Sequence, residues 1–233
     1  SYDRAGYGWS ETGRLPRTSK QIAAELYKLL KNAKINAPYL LVGHSFGGHT
    51  VRLFADEHPD EVAGMILIDA RPAEMLEIPS LKIIGDGSAT GKFTVFSFLA
   101  KIGITRLLGN AMLPPKFQSR LPEYPAIISY RAKYFDANKD EALSIKESDQ
   151  QVKNTKLLGD LPLTVIRHGK PDIFENIPNL DAKEAELDWI KSQKGLAALS
   201  TNSQIKVAKK SGHFIPIEQP EIVIDEIKKL LTD

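Results

Sequence analysis

A serine flanked by glycines is the first feature of this chain that suggests chemistry. Residues 43–47 read Gly-His-Ser-Phe-Gly and fit the pattern G-x-S-x-G, after an apolar run at residues 39–42. In a tight strand-to-helix turn, the flanking glycines let the chain pass close to its neighbours and leave the serine hydroxyl exposed. We therefore predict that Ser45 is a nucleophile. The predicted elbow around it consists of Gly43, His44 and Gly47.

Two further groups would complete the chemistry of such a serine. A helix that begins after Ser45 carries partial positive charge at its N-terminus, so the backbone N–H of Phe46 is predicted to be an oxyanion donor. A serine hydroxyl also needs a base, and His213 follows a predicted strand late in the chain, in the order expected for this arrangement. The other histidines fit less well: His44 lies in the elbow, His49 and His58 on the next helix, and His168 at a strand end.

The composition excludes several other classes of protein. The chain has 233 residues, with 31 Lys and Arg against 29 Asp and Glu, and this balance is too even to favour nucleic acid as a partner. It has no cysteine, which excludes disulfides, a thiolate zinc site and a cysteine nucleophile. No stretch of about 18 uncharged apolar residues is present, so no membrane span is predicted.

The elements that must position these residues alternate between strands and helices. Short apolar runs separated by amphipathic stretches predict an α/β fold with a mostly parallel sheet covered by helices on both faces. The predicted strands are residues 39–42, 63–68, 163–166 and 204–209, and the main predicted helices are residues 18–34, 46–58 and 220–231. We predict a core of residues 1–70 and 159–233, with residues 71–158 inserted as a helical cap.

Two segments of the predicted cap have a second interpretation. The apolar stretch 93–108 is read as a cap helix that lines an acyl pocket rather than as a membrane-facing patch, because it lies where a lid must lie. Residues 136–147 match several ligand positions of a calcium-binding loop, but Glu141 stands where that loop requires glycine. The second stretch is therefore predicted to be a charged helix, and no metal site is predicted.

Three segments together resemble a known superfamily. Residues 3–10 (DRAGYGWS), residues 42–48 (VGHSFGG) and Gly212-His213 resemble the α/β-hydrolase superfamily, in its group of small cap-bearing serine hydrolases. The resemblance implies a carboxylic ester hydrolase with a Ser-His-Asp triad, an acyl-enzyme intermediate, a small-molecule ester substrate and no cofactor. The alternatives are an amide, lactone or carbon–carbon bond hydrolase with the same triad, or a non-catalytic binding protein or inactive fragment of this fold.

The acid of the implied triad has two candidates. The superfamily usually places it after the strand that follows the cap, often as G-x-x-D, and Asp172 ends such a pattern at residues 169–172. Some relatives take the acid from the preceding strand, where Asp69 follows the run 63–68. The sequence favours Asp172, and Asp69 is the alternative acid.

The resemblance also carries an expectation about what borders the sheet. In the superfamily, the segment that resembles residues 3–10 follows the fourth strand of an eight-stranded sheet. We therefore expect a missing N-terminal segment, or a partner chain, to complete the sheet beside residues 39–42. Residues 1–9 lack the basic and apolar regions of a signal peptide, which favours a cytoplasmic location.

Overall fold

The computed structural model describes most of the chain and divides it into two compact units. The described residues are 2–86, 90–108, 131–175 and 177–232. One unit consists of Ser1–Gln21 with Asp86–Lys146, and the other of Ile22–Gly85 with Glu147–Asp233. The sheet, Ser45, Asp69 and His213 all belong to the second unit.

A four-stranded parallel sheet is the centre of the second unit. Its strands are β1 (Tyr39–His44), β2 (Val62–Ile68), β3 (Leu163–His168) and β4 (Ser203–Ala208), and they are neighbours in the order of the chain. Ile68 of β2 pairs with His44 on one side and with Ile166 on the other. Because all four strands are parallel, the residues that follow them meet at one edge of the sheet.

Helices of the second unit cover both faces of this sheet. Successive residues of β2 alternate between two cores: Met65 belongs to the one that contains Phe54, and Ile66 to the one that contains Ile215 and Val223. Across both units, the helices of the described residues are α1 (Ser19–Asn32), α2 (Gly47–Glu57), α3 (Pro79–Gly85), α4 (Thr90–Lys101), α5 (Ile104–Leu108), α6 (Ala132–Leu143), α7 (Ile145–Lys153), α8 (Ala182–Ala197), α9 (Ile215–Glu218) and α10 (Pro220–Thr232), with a 3₁₀ turn at Pro59–Glu61.

The predicted fold class is confirmed, with different boundaries for its parts. β1 and β3 each run two residues beyond their predicted ends, to His44 and His168. The second segment of the first unit begins at Asp86, and the buried ion pair between Arg71 and Asp149 lies within the second unit. The core and cap bounds read from the sequence remain a prediction. Residues 1–21 join the first unit, where Arg4 donates to Glu141 at 2.8 Å.

The two ambiguous segments of the sequence are helical where the structure describes them. α4 and α5 cover most of residues 93–108, and the Phe96 ring stacks on Phe135 of α6 at 5.5 Å. The acidic stretch lies on α6 and α7, which confirms the charged-helix interpretation. That the first unit acts as a cap, and that α4 lines an acyl pocket, remain predictions.

β1 is an edge strand within the described residues. It pairs with β2 alone, and Val42 near its end is 39 % exposed. That a further segment or a partner chain completes the sheet beside β1 remains a prediction. Among the helices of the described ranges, none combines the length and apolar character needed to cross a bilayer.

Candidate active site

The turn between β1 and α2 holds Ser45 in a strained backbone conformation. Its φ is +53°, in the left-handed region that residues with a side chain rarely adopt. Hydrogen bonds fix the turn on both sides: the Ser45 N–H donates to the Ile68 carbonyl at 3.0 Å, and the Arg71 N–H donates to the Ser45 carbonyl at 3.1 Å. The strain and the bonds that hold it are typical of a serine presented for reaction.

Two of the three glycines around this turn are required by close contacts. A Cβ at Gly43 would lie 2.7 Å from the Gly47 carbonyl oxygen, and a Cβ at Gly48 would lie 2.7 Å from the Ala70 side chain. A Cβ at Gly47 would meet nothing within 4 Å. The predicted reason for Gly47 is therefore wrong, because this position faces open space, whereas the predicted reason for Gly43 agrees with the structure.

A continuous relay of hydrogen bonds connects Ser45, His213 and Asp69. The Ser45 hydroxyl lies 3.0 Å from His213 Nε2, and His213 Nδ1 lies 2.7 Å from Asp69 Oδ2. An ionised carboxylate can only accept, so Nδ1 carries the proton. Nε2 is then free to accept the proton of the serine, which is the arrangement that a general base requires.

Asp69 is buried and accepts four hydrogen bonds. It follows β2 with a φ of +42° and is fully shielded from solvent. Its Oδ2 accepts from His213 and from His168 Nδ1 at 2.7 Å, and its Oδ1 accepts from Trp189 Nε1 at 2.9 Å and from the His168 backbone N–H at 3.1 Å. Burial alone would raise the pKa of Asp69, but the hydrogen bonds from His168 and His213 outweigh it and lower the pKa below its ordinary value.

Asp172, the acid favoured by the sequence, lies beside the backbone of the histidine loop. Its Oδ1 accepts a 3.4 Å hydrogen bond from the His213 backbone N–H, while the ring nitrogens of His213 face Asp69 and Ser45. A Cβ at Gly212 would overlap the Asp172 carboxyl group, so a side chain at position 212 would force the Asp172 side chain to move. The structure therefore brings the alternative candidate, Asp69, to the imidazole.

The remaining predicted residues surround the same point. His44 Nε2–H donates to the His213 carbonyl at 2.8 Å and helps to fix that loop. Burial, followed by repulsion from His213, lowers the pKa of His44, so its ring stays neutral beside the relay. Phe46 precedes the first turn of α2, and its backbone N–H has no hydrogen-bond partner among the described residues. That this N–H binds an oxyanion remains a prediction.

Comparison with known proteins identifies the architecture. A profile of the α/β-hydrolase fold matches residues 1–91. A thermophilic esterase from Thermogutta terrifontis superposes with a TM-score of 0.64 over 99 % of this chain and 78 % of its own, at 22 % identity. The chain has the α/β-hydrolase fold. The fold implied by the motifs is thereby confirmed.

Two relatives by sequence are described as uncharacterized proteins. A Bacillus subtilis protein is 27 % identical over 96 % of this chain and 68 % of its own length. A protein of the fission yeast Schizosaccharomyces pombe is 29 % identical over 72 % of this chain. The match spans 31 % of the yeast protein's length, so the activity of a whole relative is no guide to this α/β-hydrolase domain.

Two side chains that sequence reasoning missed lie directly behind the relay of this α/β-hydrolase domain. His168 contacts Asp69 through Nδ1, and its Nε2 lies 2.8 Å from Glu186 Oε2 on α8. The sequence carried one usable signal: a histidine at the carboxyl end of a buried strand lies at the edge where the functional residues of such sheets meet. Glu186 carried no signal, because it is one of several acidic residues on an ordinary amphipathic helix.

A second buried cluster is hydrogen-bonded to the elbow through Arg71. Asp149 of α7 accepts from Arg71 Nε at 2.8 Å and Nη2 at 2.7 Å, and its Oδ1 lies 2.8 Å from His49 Nε2. Burial lowers the pKa of His49, so its ring is neutral. Since the Arg71 backbone also binds the Ser45 carbonyl, this cluster ties α7 to the turn that holds the serine.

The described residues contain no cluster of metal ligands. No group of three or more His, Cys, Asp or Glu side chains in these ranges could hold a metal ion. His168, with a carboxylate on each ring nitrogen, is accounted for by hydrogen bonds.

Proposed function

We propose that this chain is a serine hydrolase that cleaves carboxylic esters through an acyl-enzyme. The single observation that carries the proposal is the relay from the Ser45 hydroxyl through His213 to Asp69, with distances of 3.0 Å and 2.7 Å. In this proposal the acid is Asp69, and Asp172 fixes the backbone of the histidine loop. A serine in the elbow favours acyl chemistry over the epoxide and haloalkane hydrolysis that an elbow aspartate would support.

The first half of the proposed reaction forms an ester on Ser45. His213 Nε2 takes the hydroxyl proton as Oγ attacks the substrate carbonyl carbon, and the carbonyl oxygen becomes an oxyanion opposite the Phe46 N–H. Asp69 stabilises the imidazolium that forms. When the tetrahedral intermediate collapses, the bond to the alcohol oxygen breaks and His213 returns the proton to that oxygen, which releases the alcohol.

The second half repeats these steps with water. His213 removes a proton from a water molecule as the water oxygen attacks the acyl carbon. The bond to Ser45 Oγ then breaks, the proton passes from His213 to Oγ, and the carboxylic acid leaves. Each step uses only protein groups and water.

Reaction with a fluorophosphonate tests the nucleophile directly. We expect the intact mass of the wild-type chain to rise by one phosphonyl adduct, located on Ser45 by peptide mapping. Ser45→Ala should not be labelled, whereas Ser203→Ala, a matched control at an exposed serine of β4, should be labelled like the wild type. Labelling of Ser45→Ala to the same extent would refute the proposed nucleophile.

Hydrolysis of p-nitrophenyl esters of graded acyl length tests the substrate class. The wild type should release p-nitrophenol with a burst equal to the enzyme concentration when deacylation is slow. His213→Ala should lose the burst as well as the steady-state rate, because both halves of the reaction use the same base. If the enzyme is labelled but cleaves anilides or lactones and no ester, the ester assignment is contradicted. The assignment of Ser45 as the nucleophile would still stand.

A further inference from the structure

We infer that His168 and Glu186 are positioning residues of the relay, with His168 held as a positively charged imidazolium between two carboxylates. The inference rests on the proposed function of Ser45 and His213, because a positioning role needs a reaction to support. It adds two members behind the acid, so that the hydrogen-bonded array runs from Ser45 through His213, Asp69 and His168 to Glu186.

The positions of the two ring nitrogens of His168 carry the inference. Nδ1 lies 2.7 Å from Asp69 Oδ2, and Nε2 lies 2.8 Å from Glu186 Oε2. The ring is fully shielded from solvent, and the Glu186 side chain is 19 % exposed. Two carboxylates at hydrogen-bond distance leave the ring no acceptor role when both are ionised, so both nitrogens carry protons and the ring is charged.

The surroundings of His168 are consistent with a charged ring. The groups that face it are Asp69 from the end of β2, Glu186 from α8 and the aromatic rings of Trp189 and Phe174. Arg167 is its neighbour in the chain, and its guanidinium donates to the His168 carbonyl at 2.8 Å. Burial acts to lower the pKa of His168, but the bonds and charges of Asp69 and Glu186 outweigh it and raise the pKa.

A charged His168 has two consequences for Asp69. First, Asp69 Oδ2 is shared between two N–H donors, and the carboxylate cannot rotate without breaking bonds to His168 and Trp189. Second, a positive charge at 2.7 Å offsets part of the negative charge of Asp69. The negative electrostatic potential of Asp69 at His213 is then weaker than that of an isolated carboxylate.

Nuclear magnetic resonance of the ring nitrogens tests the charge without any turnover. In wild-type protein labelled with ¹⁵N-histidine, we expect one imidazolium with two ring protons at about pH 8, where an ordinary histidine of pKa about 6.5 is neutral. In Glu186→Gln that ring should become a neutral tautomer. Glu184→Gln, which removes a charge from an exposed position of the same helix, should leave the spectrum unchanged. A neutral His168 in the wild type would overturn the inference.

The pH profile of ester hydrolysis tests the positioning role. His168→Asn retains an N–H donor to Asp69 and removes the positive charge, so the acid-side midpoint of kcat/KM should move to higher pH by about one unit. Glu186→Gln should give a smaller shift in the same direction, with little change in KM, and it carries the kinetic test if His168→Asn does not fold. A purely structural role predicts lower stability with an unmoved midpoint, and that result would refute the positioning role.

These outcomes separate the two proposals. Normal fluorophosphonate labelling of Ser45 together with a neutral His168 refutes the inference and leaves the proposed hydrolase intact. A charged His168 in a protein that neither reacts with the probe nor cleaves esters refutes the proposed function, and the positioning role with it.

Discussion

Replacement of Asp69 by asparagine removes the acid of the relay and leaves its shape. All four hydrogen bonds that reach the Asp69 carboxylate come from N–H groups, two at each oxygen. Whichever way the amide of an asparagine is turned, its NH₂ group faces two N–H donors. The least costly relief is for His213 to move its proton to Nε2, so that Nδ1 accepts from the amide.

That change of tautomer sets the magnitude of the effect. A proton on Nε2 points at the Ser45 hydroxyl, and the base can no longer accept from it. The loss in kcat for a triad histidine held in the wrong tautomer is about 10⁴-fold, which corresponds to about 5 kcal/mol in the transition state. Since Asp69 is buried and paired with two histidines, we also expect the free energy of unfolding to fall by about 3 kcal/mol.

Asp172→Asn is the matched control, because the sequence offers both residues as the acid. The Asp172 carboxyl group accepts from the His213 backbone N–H at 3.4 Å, and an asparagine oxygen can accept the same bond. We expect kcat for p-nitrophenyl butyrate to fall less than about tenfold in this variant. Circular dichroism would first establish that both variants are folded. Equal losses in the two variants, or a larger loss for Asp172→Asn, would refute the assignment of Asp69.

Three further predictions concern stability, measured by urea unfolding. Gly43→Ala should lower the free energy of unfolding by about 1–3 kcal/mol because its Cβ meets the Gly47 carbonyl, and Gly47→Ala by less than about 1 kcal/mol; equal costs would contradict the contact argument. The raised pKa of His168 stabilises the folded state; this contribution is complete below pH 6.5 and is lost as pH rises through the folded-state pKa. In His168→Asn the free energy of unfolding should not show this fall with rising pH, and an unchanged slope of that free energy against pH would contradict the raised pKa. Asp149→Ala should cost about 3–5 kcal/mol by leaving the Arg71 guanidinium buried without its carboxylate, and a cost below about 1 kcal/mol would show that the ion pair is replaceable.

The core of the fold could be predicted from the sequence because its signals are local. Four apolar runs and the helices between them predicted the parallel sheet, and the G-x-S-x-G pattern after the first run predicted the elbow. The strand ends could not be predicted, since His44 and His168 are polar residues that continue β1 and β3 only because adjacent strands pair with them. The buried ion pair of Arg71 with Asp149 could not be predicted, because its partners are far apart in the chain.

The sequence alone does not distinguish the two candidate acids. Both Asp69 and Asp172 follow a strand that ends at the same edge of the sheet, so spacing cannot separate them. The structure distinguishes them by what each carboxyl group contacts. Asp69, with its positive φ, binds the histidine rings, whereas Asp172 lies against the backbone of the loop at Gly212 and His213. The contact of Glu186 with His168 could not be predicted, because it depends on the packing of α8 beside β3.

The position of Asp69 on β2 also bears on the order in which the relay can assemble. Ser45 and Asp69 belong to one strand–helix–strand unit of adjacent, directly paired strands, so the elbow and its acid depend on local contacts. On a ribosome this unit emerges long before the histidine loop, and N-terminal parts of a chain tend to fold first. Nucleophile and acid can thus be in place while β3 and β4 are still being synthesised. The base arrives last, when the loop after β4 closes over the sheet edge, and a partly synthesised chain carries the serine without the means to activate it.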